Sequence, residues 1–262
     1  MSATITRPPT KAAAKQGRLS RCLRALFTKK GIATLCVVIV VVFCIYDFLI
    51  LPRLDVWGAT PQEVAMALPG DSIVPGEPYW QMTVAITIKA PPEKIFPYLL
   101  QAGQDKAGFY SFDWLERACG FGIHNTYTIQ QKWQDTKAGD FCTFTQQGMG
   151  MRIHSVTPNR NLLMITNGLD RNHPLPAGKW ELLWTPLFNP DKGEYLAWNW
   201  DFNLFPQADG STRVIVRCKH TSKGNRIARF AFKQAFALPS DVMDIEMLQR
   251  LKALAEGTYP VN

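Results

Sequence analysis

A chain of 262 residues is long enough for one large domain or two small ones, and its composition, 47% hydrophobic with 18 Gly, 18 Pro and six Cys, excludes collagen-like, mucin-like and disulfide-dense scaffolds. The net charge of +8 does not mark a nucleic-acid surface, because residues 1–30 hold eight of the 29 basic side chains and no acid, leaving 21 basic and 21 acidic side chains in the rest. The excess is a basic tail, and no nucleic-acid partner is expected.

After the tail, Gly31 to Leu51 reads GIATLCVVIVVVFCIYDFLIL, 21 residues with Asp47 as the one charge. As a helix this run is about 31 Å long, the thickness of a hydrocarbon core. Lipid offers no hydrogen bonds to the backbone, so even β-branched Val and Ile are held helical there. Asp47 belongs near the C-terminal interface, where its charge is least costly. A cleaved signal peptide is the competing reading, but the basic region before the run is long and no small-x-small site follows it. An uncleaved anchor is preferred. Eight positive charges precede it and mainly Arg53 follows, so the positive-inside rule puts the tail in the cytoplasm and the globular part on the periplasmic or extracytoplasmic side.

Residues 52–78, rich in Pro and Gly, read as a connector that lies on the domain surface. A domain over 79–262 follows. Its first strand, Tyr79 to Lys89, alternates Trp80, Met82, Val84, Ile86 and Ile88 with polar or small residues. Pro91 and Pro92 open a helix through Ile95, Phe96, Leu99 and Leu100, and Ser111 is placed to cap a second with Phe112, Leu115 and Cys119 on one side and Gly120 as its stop. Short extended segments are predicted at Thr126 to Trp133, Phe141 to Gln146, Met151 to Thr157, Leu162 to Thr166, Lys179 to Phe188, Leu196 to Phe205 and Arg213 to Thr221. The sharpest is LAWNWDFNLF, which puts Leu196, Trp198, Trp200, Phe202 and Leu204 on one face and Ala197, Asn199, Asp201 and Asn203 on the other, the pattern of a half-buried strand. From Asn225 the period becomes helical, with a break at Pro239 and a fresh cap at Ser240. The fold class predicted is α+β: a curved antiparallel sheet of about seven strands, two short helices after the first strand and a long C-terminal helix. Cys119, Cys142 and Cys218 allow at most one bridge and match no zinc spacing, so free thiols are expected.

TVAITIKAPPEKIFPYLLQAGQ resembles the opening of the START-like superfamily, the polyketide cyclase/dehydrase and lipid transport group, whose fold is a helix-grip. GFYSFDWLE at Gly108 to Glu116, WQDTKAGD at Trp133 to Asp140 and WGAT with LPGD between Trp57 and Asp71 resemble an uncharacterised, membrane-anchored bacterial branch of it. The resemblance implies a hydrophobic cavity between the sheet and the C-terminal helix that holds lipids, sterols, polyketides or other aromatic ligands. Such folds host carriers, cyclases and binding modules alike, so the resemblance does not choose among them.

The residues themselves carry few catalytic signatures. His124, His154, His173 and His220 share no ligand spacing, so no metal and no cofactor are expected. Tyr110, Asp113, Glu116 and His124 form the best acid/base set, since a phenol and a carboxylate beside an apolar pocket could polarise a carbonyl or move a proton. Structural roles, Asp113 bonding the turn and Tyr110 packing, compete with that. The expected ligand-binding surface is aromatic: Trp80, Met82, Tyr110, Trp114, Trp184, Trp198, Trp200, Phe202, Phe232 and Phe236, with ordinary core packing as the alternative for each. Burying about 300 Å² of apolar ligand there would contribute roughly 7–8 kcal/mol before association costs. Lys223, Arg226, Arg229 and Lys233 read as a solvated helix face or as contacts to anionic headgroups.

Three functions stay open. The first is a membrane-tethered binding or transfer module for a hydrophobic small molecule, a lipid, isoprenoid or aromatic. The second is a cyclase-like or hydrolytic enzyme using Tyr110, Asp113 and His124. The third is an accessory subunit with a membrane-protein partner. A sealed interior filled by its own rings would defeat the first, and a large exposed apolar patch with no cavity would favour the third.

Overall fold

The structure is a computed structural model, and it describes residues 28–167, 177–181 and 188–260. The basic tail, His173, Trp184 and most of the strand predicted at Lys179 to Phe188 lie outside these residues. The chain divides into two units, Met1–Pro52 and Arg53–Asn262.

In the first unit, helix α1 (Lys29–Ile45) starts at Thr28, whose Oγ1 accepts from the Gly31 amide at 3.0 Å. It runs on through a π-helical turn at Tyr46–Ile50 into α2 (Leu51–Leu54). Together Lys30–Leu54 make one helix of 25 residues, long and apolar enough to cross a membrane. Most of its large apolar side chains, Val37, Val40 and Phe48 among them, are exposed, unlike those of a core helix.

The second unit is helix-grip-like. Strands β1 (Trp80–Ile88), β2 (Phe141–Thr143), β3 (Met149–Thr157), β4 (Asn161–Asn167), β6 (Tyr195–Pro206) and β7 (Thr212–Lys223) form an antiparallel path in the order β1-β7-β6-β4-β3-β2. That is six antiparallel strands rather than about seven. The two-residue β5 (Trp180–Glu181) pairs parallel with β3. Helix α3 (Pro61–Ala65) precedes the sheet, α4 (Pro92–Leu100) and α5 (Asp113–Ala118) follow β1, and α6 (Arg226–Ala255) closes the chain. Cys119, Cys142 and Cys218 are free thiols.

Four expectations need correction. Ser111 does not cap α5; its hydroxyl donates instead to Glu116 Oε1 at 2.6 Å, and Phe112 stands at the cap. Residues 126–133 are not a strand, because Gln101 pins them, accepting from the Gln130 amide at 2.9 Å and donating to the Thr128 carbonyl at 3.1 Å. Pro239 does not divide the last helix: α6 is continuous for 30 residues, with only the Ala235 carbonyl deprived of its helical donor.

The fourth concerns the sheet's polar face. Strand β6 is buried on both faces, not one. Residues 53–78, predicted as a connector on the domain surface, form a second layer over the side chains that alternation assigned to water. Backbone carbonyls of Asp55 and Trp57 accept from Thr83 and Ala85 at 2.6 and 3.0 Å, covering the free edge of β1. Gly58 then turns the chain with φ +68°, so close to Ala85 that a Cβ would collide with its carbonyl oxygen. Gly58→Ala is therefore expected to cost at least about 2 kcal/mol, read as a lowered denaturant midpoint of the full chain in detergent. An unchanged midpoint would mean that this edge contributes nothing to stability.

Beneath the same layer lies Arg217, 2% exposed. Its five N–H groups find five acceptors: Thr83 Oγ1 at 3.0 Å, the carbonyls of Met66, Glu63 and Val64 at 2.7, 2.8 and 2.8 Å, and Asp71 Oδ2 at 2.6 Å. The guanidinium thus caps the C-terminal carbonyls of α3. Next to it, Asp201 accepts from the Gly70 amide at 2.8 Å and from Asn161 at 2.6 Å.

Candidate functional site

The other face of the sheet meets α6. Register places Trp80 and Trp198 on either side of His220, Met82 opposite Cys218, and Phe202 opposite Val216. Alternation on three neighbouring strands therefore gathers one apolar surface. Trp80 stacks on the His220 ring with centroids 3.9 Å apart and an interplanar angle of 16°, and Trp198 flanks the same imidazole at 5.7 Å. Phe232 of α6 closes over both, 5.6 Å from Trp198 and 6.1 Å from His220, and Phe236 stacks on Phe232 at 4.5 Å. Trp200 continues the surface among Phe109, Phe144 and Phe202. These rings touch one another across the inner face.

Polar groups sit inside this apolar wall. Among the described residues neither nitrogen of His220 has a hydrogen-bond partner, and burial holds the imidazole neutral, pushing its pKa down to about 3. On α6, Asp244 accepts from the Trp200 indole at 3.1 Å and lies beside Cys218. Its desolvation raises the pKa to about 7. Asp241, one turn earlier and fully buried, has no donor to either oxygen among the described residues. It faces the carboxyl of Asp55, which accepts from the Trp80 indole at 2.7 Å. Desolvation first, then the neighbouring charges of Asp55 and Asp244, push Asp241 up to about 9, and Asp55 is raised as well, again mainly by desolvation. At neutral pH Asp241 is thus a protonated carboxyl in apolar surroundings. It can donate as well as accept, and the pair with Asp55 holds together by sharing a proton.

Of the predicted ligand-binding residues, Trp80, Met82, Trp198, Trp200, Phe202, Phe232 and Phe236 lie along this sheet–helix interface. Tyr110 is buried elsewhere, in a left-handed conformation (φ 57°), with its hydroxyl accepting from Gln101 at 2.8 Å. Trp114 is 62% exposed on the surface of α5. The acid/base candidates are not joined to one another by hydrogen bonds among the described residues. Tyr110 is held by Gln101, Asp113 forms an ion pair with Arg117 at 2.6 Å, and the His124 side chain is exposed. Glu116 is buried against Ser111, and desolvation raises its pKa. No group of three or more His, Cys, Asp or Glu side chains among the described residues is arranged to hold a metal.

Sequence reasoning missed Asp55, Asp241, Asp244 and His220. A signal existed for two of them: Asp241, Asp244, Leu248, Leu251 and Ala255 recur at three- and four-residue spacing, so the aspartates occupy the buried stripe of α6. The neighbouring apolar residues Val242 and Ile245 lie off that stripe and are exposed and half-buried. An open hollow of about 690 Å³ lies elsewhere, lined by Glu63, Thr87, Phe205, Gln207, Arg213 and Ile215. The Arg213–Glu63 ion pair, 2.7 Å, occupies its wall and holds the Glu63 carboxyl down to about 2.

No family model matches this chain, and comparison with curated proteins finds no match. Solved structures give distant similarities. The protein MLL2253 from Mesorhizobium loti is 16% identical over 69% of this chain and 100% of its own, with a TM-score of 0.33. CV1439 from Chromobacterium violaceum is 13% identical over 67% and 96%, TM-score 0.34. Ms6760 from Mycobacterium smegmatis is 12% identical over 70% and 91%, TM-score 0.33. At this distance the similarities assign no family and carry nothing about activity, and any function must be argued from the inner face itself.

Proposed function

We propose that the chain is a membrane-tethered module that binds or transfers a hydrophobic small molecule, a lipid, isoprenoid or aromatic, between the sheet and α6. Its tail lies in the cytoplasm and its domain on the extracytoplasmic side. The START-like resemblance of residues 83–104 supports such a pocket. The observation that carries the reading is His220, buried and with neither ring nitrogen hydrogen-bonded among the described residues, inside an aromatic wall. Buried polar groups are ordinarily bonded, so this imidazole awaits a partner. A guest with an apolar body and a hydroxyl, carbonyl or amine head supplies one.

The rings already touch, which counts against a ready-made cavity, so the guest has to displace Phe232 and Phe236 to enter. The first half of α6 is suited to that movement. Over 226–238 it buries only Ala228, Phe232 and Ala237, whereas the half beyond Pro239 is anchored by Met247, Leu248, Leu251 and Leu254. Native mass spectrometry of the full chain extracted in mild detergent should show a small apolar adduct, and His220→Leu should lower its occupancy about three- to tenfold, the worth of one hydrogen bond. A bare mass in every preparation, with tryptophan emission unmoved by added membrane lipid extract, would remove this reading. The accessory-subunit reading has an observation of its own, the exposed apolar stripe on α6 described next.

A further inference from the structure

We infer that the outward face of the first half of α6 is a docking surface for an anionic lipid bilayer. The inward face of this segment is already occupied by Ala228, Phe232 and Ala237. Yet the outward face is apolar too. Ile227 is 82% exposed and Phe230 58%, and exposed Ala231, Ala235, Leu238 and Val242 continue the stripe at three- and four-residue spacing. A helix apolar on its outward as well as its inward face belongs partly in apolar surroundings, and nothing in the domain covers this stripe among the described residues.

Charge selects the occupant. Between Thr221 and Ser240 the chain carries Lys223, Arg226, Arg229 and Lys233 and no acid. Arg229 lies over the Tyr79 ring and Lys233 faces Asp55, which leaves the exposed Lys223, at the end of β7, and Arg226, at the start of the helix, to meet an outside anion. Bulky apolar residues along one helix, with exposed cations at its start and on the strand end just before it, describe a segment lying in the headgroup layer. Connectivity keeps such a layer within reach. The membrane-length helix ends at Leu54, and Asp55 is already bonded to β1. The inference concerns the surface of α6 and does not depend on a guest in the interior.

Photocrosslinking tests it on the full chain reconstituted in vesicles of phosphatidylcholine with phosphatidylglycerol, or of phosphatidylcholine alone. p-Benzoylphenylalanine replaces Ile227 or Phe230, with Ile39 as a reporter of the span and the exposed Gln249 as a control on the same helix. Lipid adducts are expected at 227 and 230 and not at 249. Lys223→Gln and Arg226→Gln should each reduce them about fivefold in the anionic vesicles and leave the neutral ones unchanged. Adducts at 39 without adducts at 227 and 230, equal adducts at 249, or adducts to protein instead of lipid would each overturn the docking face, the last in favour of an accessory subunit. Adducts at 227 and 230 without any at 39 would uphold the face and discard the tether, and none at any position would overturn both.

Discussion

Replacing Arg217 with methionine is expected to lower the unfolding free energy by about 3–5 kcal/mol, among the largest effects of any single change in this chain. The volume is nearly kept, so the loss is polar. Removing the guanidinium leaves the carbonyls of Glu63, Val64 and Met66 under the second layer without their donor, and Asp71 without its cation. Each orphaned buried acceptor costs about 1–3 kcal/mol. Arg217→Lys should fall between, since an ammonium on the same stem reaches two or three of the five acceptors and cannot span the fork. Denaturant midpoints measure the loss. Amide exchange locates it: Thr83 and Ala85, protected by Asp55 and Trp57, should exchange sooner, because the whole 53–78 layer is released with α3. A change within 1 kcal/mol, or protection unaltered at those two amides, would show that the layer is held by something other than Arg217.

The second large effect is a loss of stability as pH rises from about 6.5 to 9. Asp241 and Asp244 ionise in the unfolded chain near the ordinary value of 3.8 but in the folded chain only near 9 and 7. Above pH 4 the folded state therefore binds protons that the unfolded state has given up. Stability falls with rising pH by up to about 1.4 kcal/mol per pH unit for each such carboxyl, until its folded pKa is passed. His220 acts in the opposite direction. Its folded pKa near 3 lies below the unfolded 6.5, so its contribution is complete above pH 6.5 and is lost toward acid, where it offsets one of the two carboxyls. Asp241→Asn keeps the shape and a hydrogen bond to Asp55 while removing the titration, so it should flatten the decline above pH 6.5 and raise the midpoint at pH 8. Midpoints that climb from pH 6.5 to 9, or an unchanged slope in the variant, would contradict the assignment of neutral carboxyls to this interface.

Both effects arise where the sequence pattern was read with the wrong environment. Alternation in LAWNWDFNLF correctly divided Trp198, Trp200 and Phe202 from Asn199, Asp201 and Asn203. It could not tell that the polar set is buried too, because a polar face turned to water and one turned to backbone carbonyls of residues 53–78 look alike in one dimension. Asp241 and Asp244 share the spacing of the buried stripe of α6, but an aspartate on a helix is ordinarily solvent-facing. Only contact with β1, β7 and Asp55 makes them interior groups.

By itself, the sequence determined what is local or periodic: a membrane-length apolar helix between a basic tail and the domain, an alternating first strand leading into a Pro-Pro helix, a mostly antiparallel sheet and a long C-terminal helix. Backbone hydrogen bonding, side-chain period and turn chemistry act over a few residues, so they can be read along the chain. Tertiary structure decided what lies on each face: that a loop-like segment becomes a wall, that Pro239 is carried inside a continuous helix, that His220 becomes an unmatched polar group among rings and two aspartates become buried carboxyls, and that α6 is apolar outward as well as inward. Those outcomes depend on desolvation and on partners distant in the chain, and neither quantity exists until the elements pack.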